Sequence, residues 1–570
     1  MRKTGLSLYT IFALLFAGLP VFILKMSALG AAKYEEFTLT PWLWAAVGAV
    51  VLCLVPVTLP KIPDWLAGPL WGCAAFQYRY HCFHLIEPHM AMKYDFGAVL
   101  DSVQGTKLVK EAIFTHWAFY PRVLEFWNKH WGSTDYLYRS AVYFNLMVSG
   151  LIVLLIYLIA RRIWKRQRAA MLAAAIACFW PSFSYYASVT SNEHLAMFFM
   201  LLASYFGMLA WESGGGSLRQ AQGPLTGSAV PTDAEPVEAS KKDIKAEKLT
   251  RVPSTASTSS ATAGTVKTIL FVLLAGLSAG LADLFKQFSP VFLIAAFGAG
   301  LLFILIEGRG KEKDKNPLKR IGALLLAIIL MFGVSTGVKE RAYRWLEGYL
   351  DMPVCRGATA HFLWIGLNSK GGGMWSEEEG MKVYELAEQY NYDYDQVMDG
   401  LWALLREDLD AHRDVLPDTI RNKMEKDWEA DIGVTLWIKS LYDEIAIWEA
   451  ETGMQFQNWL VTRPELDEID FDPGHKITIS SAAYYMSVMG LVALGGLLGL
   501  FWRKPGETYL RLVFYGYALL FVLSEAQGRY QIVLFPVFAL LAAGAAEDCG
   551  ELLGRVLERR RSRKSNSEPV

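Results

Sequence analysis

The feature that most constrains this chain is a series of long apolar stretches that contain almost no charge. Leu6 to Leu24, Trp42 to Leu59 and Ile321 to Val334 are at or near the length that crosses about 30 Å of hydrocarbon. Hydrophobic residues make up 53% of the sequence and charged residues only 19%, a composition that suits few soluble proteins. The sequence therefore predicts an all-α polytopic membrane protein.

Apolar windows of about 20 residues predict twelve spans. They are 6–27, 41–59, 64–88, 136–160, 169–187, 194–211, 267–285, 288–306, 320–338, 479–501, 507–526 and 530–547. Alternate connectors between these spans carry Lys and Arg, as the positive-inside rule requires of cytoplasmic connectors. We therefore expect a multi-pass protein of the plasma (inner) membrane with cytoplasmic N- and C-termini.

The spans divide the chain into segments of different character. The segments are 1–63 with two N-terminal spans, 64–211 with a transmembrane core and a first outer loop at 89–135, 212–266, 267–338 with further spans, 339–478, 479–547 with the C-terminal spans, and 548–570 as a basic cytoplasmic tail. Residues 212–266 are rich in Gly, Ser, Thr, Ala and Pro, which predicts a disordered cytoplasmic linker. Residues 339–478 contain stretches with helical periodicity, which predict a mostly helical extracytoplasmic domain.

Two classes of ligand lack support in the sequence. The outer segment shows no glycine-rich phosphate loop, so we expect no nucleotide cofactor. The net charge of −1 gives no basis for binding nucleic acid. The partners expected are therefore the lipid bilayer and molecules that reach the outer face.

Four polar clusters lie at the outer ends of predicted spans, although long stretches of chain separate them. They are Asp95 with Asp101, Glu193 within Ser191 to His194, Asp283 with Lys286 and Gln287, and Glu525 with Arg529 and Tyr530. Each has an ordinary explanation as a helix cap, an ion pair at a bend or a snorkelling cation. Topology nevertheless brings all four to one membrane face. Carboxylates there can accept a proton from a hydroxyl, and cations can stabilise a phosphate leaving group, which fits transfer from a lipid phosphate.

Short motifs in these clusters also carry a family resemblance. They are Tyr94-Asp95-Phe96-Gly97, Tyr120-Pro121, Ser191-Asn192-Glu193, Glu525 followed by Gly528-Arg529-Tyr530, and the segment 364–375. In order and sidedness they resemble the GT-C superfamily of membrane glycosyltransferases, particularly bacterial family 39-like enzymes related to protein O-mannosyltransferases and aminoarabinose transferases. The resemblance covers most of 64–211 and 267–547. It implies a GT-C-type fold with about 12 transmembrane helices and a mostly helical outer domain.

The resemblance also implies roles for individual residues. The donor would be a sugar on a polyprenyl phosphate, transferred with inversion to an extracytoplasmic hydroxyl. Asp95 would act as general base or orient the acceptor, and Glu193 would help to bind acceptor or metal. Arg529, and more weakly Lys286, would bind the donor phosphate. Further site candidates are Asp101, Glu525 and Tyr530. Whether magnesium or manganese takes part, with Asp95 and Glu193 as ligands, stays open.

The acceptor and the class of protein leave alternatives. Asp95 is followed by Phe96, where protein mannosyltransferases typically have adjacent Asp and Glu, and this argues against a protein acceptor. Family analogy favours an envelope polysaccharide or glycolipid; the sequence does not tell which hexosyl or pentosyl group is transferred. The alternatives to an enzyme are a secondary transporter or lipid flippase, and a non-catalytic envelope assembly factor. No half-to-half repeat is evident, and the charges cluster at one face instead of the midplane, so we favour the glycosyltransferase.

Overall fold

The fold is given by a computed structural model, in which every regular element of the described residues is a helix. The structure describes residues 2–31, 41–58, 62–87, 94–106, 109–132, 137–214, 256–307, 316–428, 472–499, 505–525 and 528–565. The helices of the first half are α1 (Arg2–Ala31), α2 (Pro41–Thr58), α3 (Asp64–Ile86), α4 (Tyr94–Val103), α5 (Val109–Ile113), α6 (Thr115–Trp131), α7 (Leu137–Trp164), α8 (Gln167–Cys178), α9 (Pro181–Tyr186) and α10 (Glu193–Ser213).

The second half continues the bundle and adds a polar domain. Its helices are α11 (Ala256–Asp283), α12 (Ser289–Glu307), α13 (Pro317–Leu350), α14 (Thr359–Leu367), α15 (Glu377–Gln389), α16 (Tyr394–Ala411), α17 (Leu416–Asp427), α18 (Asp472–Leu498), α19 (Pro505–Leu523), a 3₁₀ helix (Gly528–Leu534) and α20 (Phe535–Ser565). We call residues 94–132 the first loop and residues 351–428 the loop domain.

The membrane architecture predicted from the sequence is confirmed. Each predicted span coincides with one or more helices, and eight helical segments of the described chain are long and apolar enough to cross a membrane. They are Thr10–Ala28, Leu137–Trp164, Glu193–Ser213, Gly264–Asp283, Ser289–Ile306, Pro317–Leu350, Ser480–Leu498 and Gly528–Leu552. The chain is thus a multi-pass helical membrane protein, and the number twelve stays a prediction.

Helix bounds differ from the predicted segments at several places, among them α20, which runs to Ser565 through most of the predicted tail 548–570. α11 begins at Ala256, inside the predicted linker 212–266, of which residues 215–255 lie outside the described residues. α13 continues beyond the predicted span 320–338 into the outer segment. It starts where Asn316 accepts a hydrogen bond from the Leu318 amide, and it ends at Asp351, whose φ is 57°, a left-handed helix stop. α18 begins at Asp472, before the predicted boundary at 479.

The predicted span 169–187 is broken into two helices. α8 ends at Cys178, and Trp180 has an extended backbone because it precedes Pro181, the first residue of α9. Arg79 of α3 lies fully buried beside this break. Its Nη2 donates to the Ala177 carbonyl at 2.8 Å, and its guanidinium lies 4.3 Å from the centroid of the Phe183 ring. The cation thereby satisfies a carbonyl at the negative end of α8.

Small residues allow the helices of the bundle to approach closely. A Cβ on Gly276 of α11 would lie 2.7 Å from the Met331 carbonyl oxygen of α13, and a Cβ on Gly280 would lie 2.9 Å from that of Ser335. Spacing of small residues by four places them on one helix face, which is how membrane helices pack without a hydrophobic driving force. α11 and α13 are therefore held together where both reach the polar end of the bundle.

The first loop is tied to α13 by a buried polar network. Arg122 of α6 donates to the Ser102 carbonyl of α4 at 2.7 Å and to Glu111 of α5 at 3.2 Å. It also donates to the hydroxyl of Tyr349, near the end of α13. Glu111 is completely buried and accepts from the Ser102 hydroxyl at 2.7 Å. Because the carboxylate is paired and hydrogen-bonded, its burial is tolerated and fixes the three loop helices against the bundle.

The loop domain packs on the same end of the bundle. The Cys355 amide donates to the Ala112 carbonyl of the first loop at 2.8 Å, and the hydroxyl of Ser27 in α1 donates to the Trp428 carbonyl at 2.7 Å. Trp428 is completely buried, 5.5 Å from the ring of Phe521 in α19. The first loop, the loop domain and several helix ends therefore form one polar layer.

Candidate functional site

Carboxylates and cations from distant parts of the chain meet in this layer. Glu193 is the first residue of α10, and Lys286 lies in the turn between α11 and α12. Lys286 Nζ donates to Glu193 Oε1 at 2.9 Å and lies 4.6 Å from the centroid of the Tyr530 ring. The hydroxyl of Tyr530 in turn donates to Glu525 Oε2 at 3.0 Å. We call Glu193, Lys286, Glu525, Arg529 and Tyr530 the charged cluster.

Arg529 completes the charged cluster from the 3₁₀ helix. Its guanidinium carbon lies 5.4 Å from the centroid of the Phe96 ring in α4. It is also close enough to Glu193 for the two charges to interact. Glu193 is thus flanked by two cations, Lys286 and Arg529, and this compensates a side chain that is only 6% exposed.

The loop before α10 fixes the position of Glu193. The hydroxyl of Thr190 donates to the Phe96 carbonyl at 2.8 Å, and the amide of Asn145 in α7 donates to the Val189 carbonyl at 2.7 Å. Asn192 makes no side-chain cap for α10; its amide nitrogen donates to the His116 carbonyl at 3.1 Å. Glu193 therefore stands at the positive end of the α10 dipole, with its Oε1 on Lys286. Its Oε2 is buried without a hydrogen bond within the described residues.

The structure brings the start of α4 to the charged cluster but leaves one predicted residue undescribed. Asp95 is the second residue of α4, and its side chain lies outside the described residues. Its neighbour Phe96 contacts both Arg529 and Thr190, so the Asp95 backbone adjoins the cluster. Asp101 is exposed, in the last turns of α4, and shares no described contact with the cluster.

At the bend between α11 and α12, the ion pairs differ from the expected cluster of Asp283 with Lys286 and Gln287. Asp283 is fully buried and accepts from the Ser289 amide at 2.8 Å, which caps α12. Its ion-pair partner is Lys339 of α13, at 3.0 Å, and Lys286 is directed to Glu193 instead. Gln287 donates weakly to the Tyr343 hydroxyl at 3.4 Å. An ion pair therefore anchors the bend, as the structural explanation of this cluster predicts. The cation is Lys339, which lies 56 positions from Asp283 in the sequence.

Sequence reasoning missed two lysines that organise the layer, the half-buried Lys339 and the fully buried Lys423. Lys339 has no distinguishing signal because it continues an apolar helix into a polar segment. Lys423 belongs to an amphipathic helix with several other basic residues, and nothing in that pattern separates it from a surface lysine. Asn145 did carry a signal, a lone amide in an apolar span, which is usually a structural or functional position.

The donor set does not favour a metal ion at Glu193. Among the described residues no group of three or more His, Cys, Asp or Glu side chains could hold one. Lys286 and Arg529 lie beside the Glu193 carboxylate, and two adjacent cations oppose a divalent ion through charge repulsion.

An apolar crevice begins about one helical turn from the charged cluster. Met197 follows Glu193 by four residues in α10, Phe288 follows Lys286 by two, and Val533 follows Arg529 by four. These residues line the crevice together with Ala196, Met200, Leu201, Phe292, Tyr517, Pro536 and Val537. Charged groups at helix ends thus lie within about one helical turn of an apolar surface inside the bundle.

A family model describes part of this chain. The model of the dolichyl-phosphate-mannose-protein mannosyltransferase family matches residues 108–227, a segment that contains Tyr120-Pro121 and Ser191-Asn192-Glu193. The match confirms the resemblance that these motifs indicate, and together with the apolar helices it supports a membrane glycosyltransferase of the GT-C type. No curated protein matches the sequence significantly.

Solved structures show a weak overall likeness. The archaeal oligosaccharyltransferase AglB from Archaeoglobus fulgidus, in complex with an inhibitory peptide and a dolichol-phosphate, is 12% identical, with a TM-score of 0.32. The match covers 92% of this chain and 52% of that one. The apo form of the Archaeoglobus fulgidus oligosaccharyltransferase gives 12% identity, 91% and 52% coverage and a TM-score of 0.32. This chain therefore spans about half the length of those proteins, and the scores are too low to indicate a shared site.

Proposed function

We propose that this protein transfers a sugar from a polyprenyl-phosphate donor to a hydroxyl acceptor at the membrane face that carries the charged cluster. The observation that supports the proposal is the position of Glu193, Lys286 and Arg529 within about one helical turn of the apolar crevice. A lipid phosphate combines an anionic head with an apolar chain. The cations match the head, and the apolar crevice matches the chain. The description of the matching family names a sugar donor of the same class.

In this proposal Arg529 binds the donor phosphate, and Lys286 binds the same phosphate. Lys286 is paired with Glu193, so a donor phosphate that binds beside Arg529 competes with that carboxylate for the ammonium group. The donor phosphodiester carries one negative charge, as the carboxylate does, but its two free oxygens can accept from Lys286 and Arg529 together, and further charge develops on the phosphate as it leaves. The exchange releases Glu193 Oε1 at the moment the donor is bound. The isoprenoid chain then continues along the apolar surface beside Met197 and Val533.

The transfer step follows from the charges around the anomeric carbon. The acceptor oxygen forms a bond to that carbon from the side opposite the phosphate, and the bond from carbon to phosphate oxygen breaks with its electron pair. Polyprenyl phosphate leaves with its charge held by Arg529 and Lys286. The hydroxyl proton passes to a carboxylate, for which Asp95 is the proposed base and Glu193 the acceptor-orienting group. The product has inverted configuration.

The setting of the reaction is part of the proposal. In this proposal both termini lie in the cytoplasm and the charged cluster lies outside, in the plasma membrane, which the distribution of basic connectors supports. The acceptor is then a cell-envelope polysaccharide or glycolipid with an accessible hydroxyl. A transporter or flippase is the second candidate from the sequence, but the charged cluster lies at helix ends and not at mid-span, which favours the enzyme.

The test is transfer of radiolabelled sugar by the purified protein in lipid, from a panel of polyprenyl-phosphate monosaccharides. Arg529→Ala should lower kcat/KM by about 100-fold or more, because a phosphate-stabilising cation contributes about 3 kcal/mol to the transition state. Asp95→Asn should abolish transfer. Arg344→Ala is the matched control, since Arg344 is 70% exposed on α13. If no donor is turned over, or Arg529→Ala matches Arg344→Ala, the glycosyltransferase proposal is refuted.

A further inference from the structure

Lys423 of α17 joins the loop domain to the helix that precedes the charged cluster. Its side chain is completely buried. Its Nζ donates to three backbone carbonyls: Gly366 at the end of α14 at 2.8 Å, Val522 at 2.8 Å and Ser524 at 2.5 Å, both at the end of α19. An ammonium group has three hydrogens, so every donor is used.

The acceptors explain why a cation can be buried here. The last carbonyls of a helix have no partner inside the helix and form the negative end of its dipole. Lys423 satisfies one such carbonyl in α14, that of Gly366, and one in α19, that of Val522, together with the carbonyl of Ser524 directly after α19. Burial lowers the pKa of Lys423 to about 8, while Asp427 on the same helix and Glu525 beyond α19 oppose the shift. The ammonium form is therefore retained at neutral pH.

Two glycines make room for this contact. A Cβ on Gly366 would lie 2.4 Å from the Leu523 carbonyl oxygen, so only glycine allows α14 to approach α19 this closely. Gly373 has a φ of 83°, and a Cβ there would lie 2.2 Å from Lys423 Cδ. The neighbouring Gly372 has a φ of 58° but open space around its Cβ position. The stem of Lys423 therefore passes through a channel that a single methyl group would block.

The segment held by Lys423 leads directly into the charged cluster. Glu525 follows Ser524, whose carbonyl Lys423 binds, and Glu525 accepts from the hydroxyl of Tyr530. The Tyr530 ring contacts Lys286, which pairs with Glu193. Glu525 is only 6% exposed. A movement of the α19 end would therefore move Glu525 and, through the hydrogen bond from Tyr530 to Glu525, Tyr530 beside Arg529.

We infer that Lys423 is a positioning residue, through which the loop domain holds Glu525, and with it Tyr530 and the adjacent Arg529, in the geometry that binds the donor phosphate. The inference rests on the proposed function, because it assigns Arg529 to the donor. Lys423 touches neither donor nor acceptor. Its effect is transmitted through the carbonyls of Val522 and Ser524, so the loop domain completes the phosphate site from outside it.

The test compares Lys423→Met with Lys370→Met in lipid, where Lys370 is a loop-domain lysine with 68% exposure. Equilibrium binding of radiolabelled polyprenyl phosphate should weaken at least tenfold in Lys423→Met. The KM for the donor should rise by a similar factor, with a smaller change in kcat. Lys370→Met should match the wild type. Wild-type binding by a folded Lys423→Met would overturn the inference.

A second pair of variants covers the case in which Lys423→Met does not fold. Gly373→Ala pushes the Lys423 stem and should weaken polyprenyl-phosphate binding at least threefold. Gly372→Ala introduces similar backbone strain without that overlap, and its binding should be close to that of the wild type. Equal effects of the two substitutions would show that strain in the loop, and not Lys423, is responsible.

Hydrogen exchange separates this inference from the proposed function. In ligand-free protein, Lys423→Met and Gly373→Ala should speed exchange of amides in 528–534 and leave those in 195–207 unchanged. One outcome is that exchange rises as expected while the wild type neither binds nor turns over any donor. In that case Lys423 positions residues 528–534, but the proposed function fails. If donor turnover is found but exchange and binding are unchanged in both variants, the positioning role fails alone.

Discussion

The ion pair of Glu193 and Lys286 should be strongly coupled because both groups are largely removed from water. Their N–O distance is 2.9 Å, with side-chain exposures of 6% and 16%. At an effective dielectric constant of about 20, two unit charges at this distance attract by about 6 kcal/mol, and desolvation offsets much of that energy. Removing one partner of a buried pair costs about 3–5 kcal/mol, because the other charge stays buried.

A double-mutant cycle measures this coupling. Glu193→Gln and Lys286→Met should each lower the free energy of unfolding by about 3 kcal/mol or more. The double variant should lose about 2 kcal/mol less than the sum, since it leaves no unpaired charge. Lys286→Met should be the milder single change, because Arg529 still faces Glu193. Unfolding in mixed micelles at pH 7, followed by tryptophan fluorescence, provides the free energies.

The control cycle uses a pair with the same separation and different burial. Arg344 and Glu340 also lie 2.9 Å apart, but they are 70% and 39% exposed. Arg344→Met and Glu340→Gln should therefore be additive within error, because solvent screens an exposed pair. Additivity in the Glu193 and Lys286 cycle as well would refute the buried ion pair, and with it the exchange of Lys286 between carboxylate and phosphate.

Two further predictions concern the buried side chains of Arg79 and His361. Arg79→Lys should be less stable than Arg79→Met in mixed-micelle unfolding. Lysine retains the charge in the bundle but cannot bond both the Ser149 and Ala177 carbonyls that Arg79 reaches. A lysine variant as stable as the wild type would contradict this account of the α8 break. Burial lowers the pKa of His361 in α14 to about 4, so the unfolded chain binds the proton first. Stability that is complete above pH 6.5 should fall as the pH drops towards 4, by at most about 3 kcal/mol. Between pH 7 and pH 5, hydrogen exchange of the amides in 359–367 should therefore speed up relative to the intrinsic exchange rate of an unfolded chain. The substitution His361→Phe should remove this acceleration. An unchanged acceleration in that variant would exclude His361 as its cause.

Much of the helical architecture was predictable because it depends on local properties. Apolar length and composition located α1, α7, α10 and α12 to within a few residues of the predicted spans. Local signals also mark some ends, such as Pro317 at the first turn of α13. The break between α8 and α9 was missed, although Pro181 signals it, because the apolar window around it looks continuous. Position in the chain likewise placed Glu193 at the first turn of α10.

The sequence by itself therefore determined a helical membrane protein and the set of charges at one of its faces. Only the tertiary structure decided which charge meets which. Lys286 pairs with Glu193, 93 positions away, while the nearer Asp283 pairs with Lys339. Lys423, which resembles a surface lysine in sequence, is buried on the carbonyls of α19. The physical reason is that helix formation depends on neighbours in sequence, whereas ion pairing and burial depend on how α10, α12, α13 and α17 pack, and no local pattern records that packing.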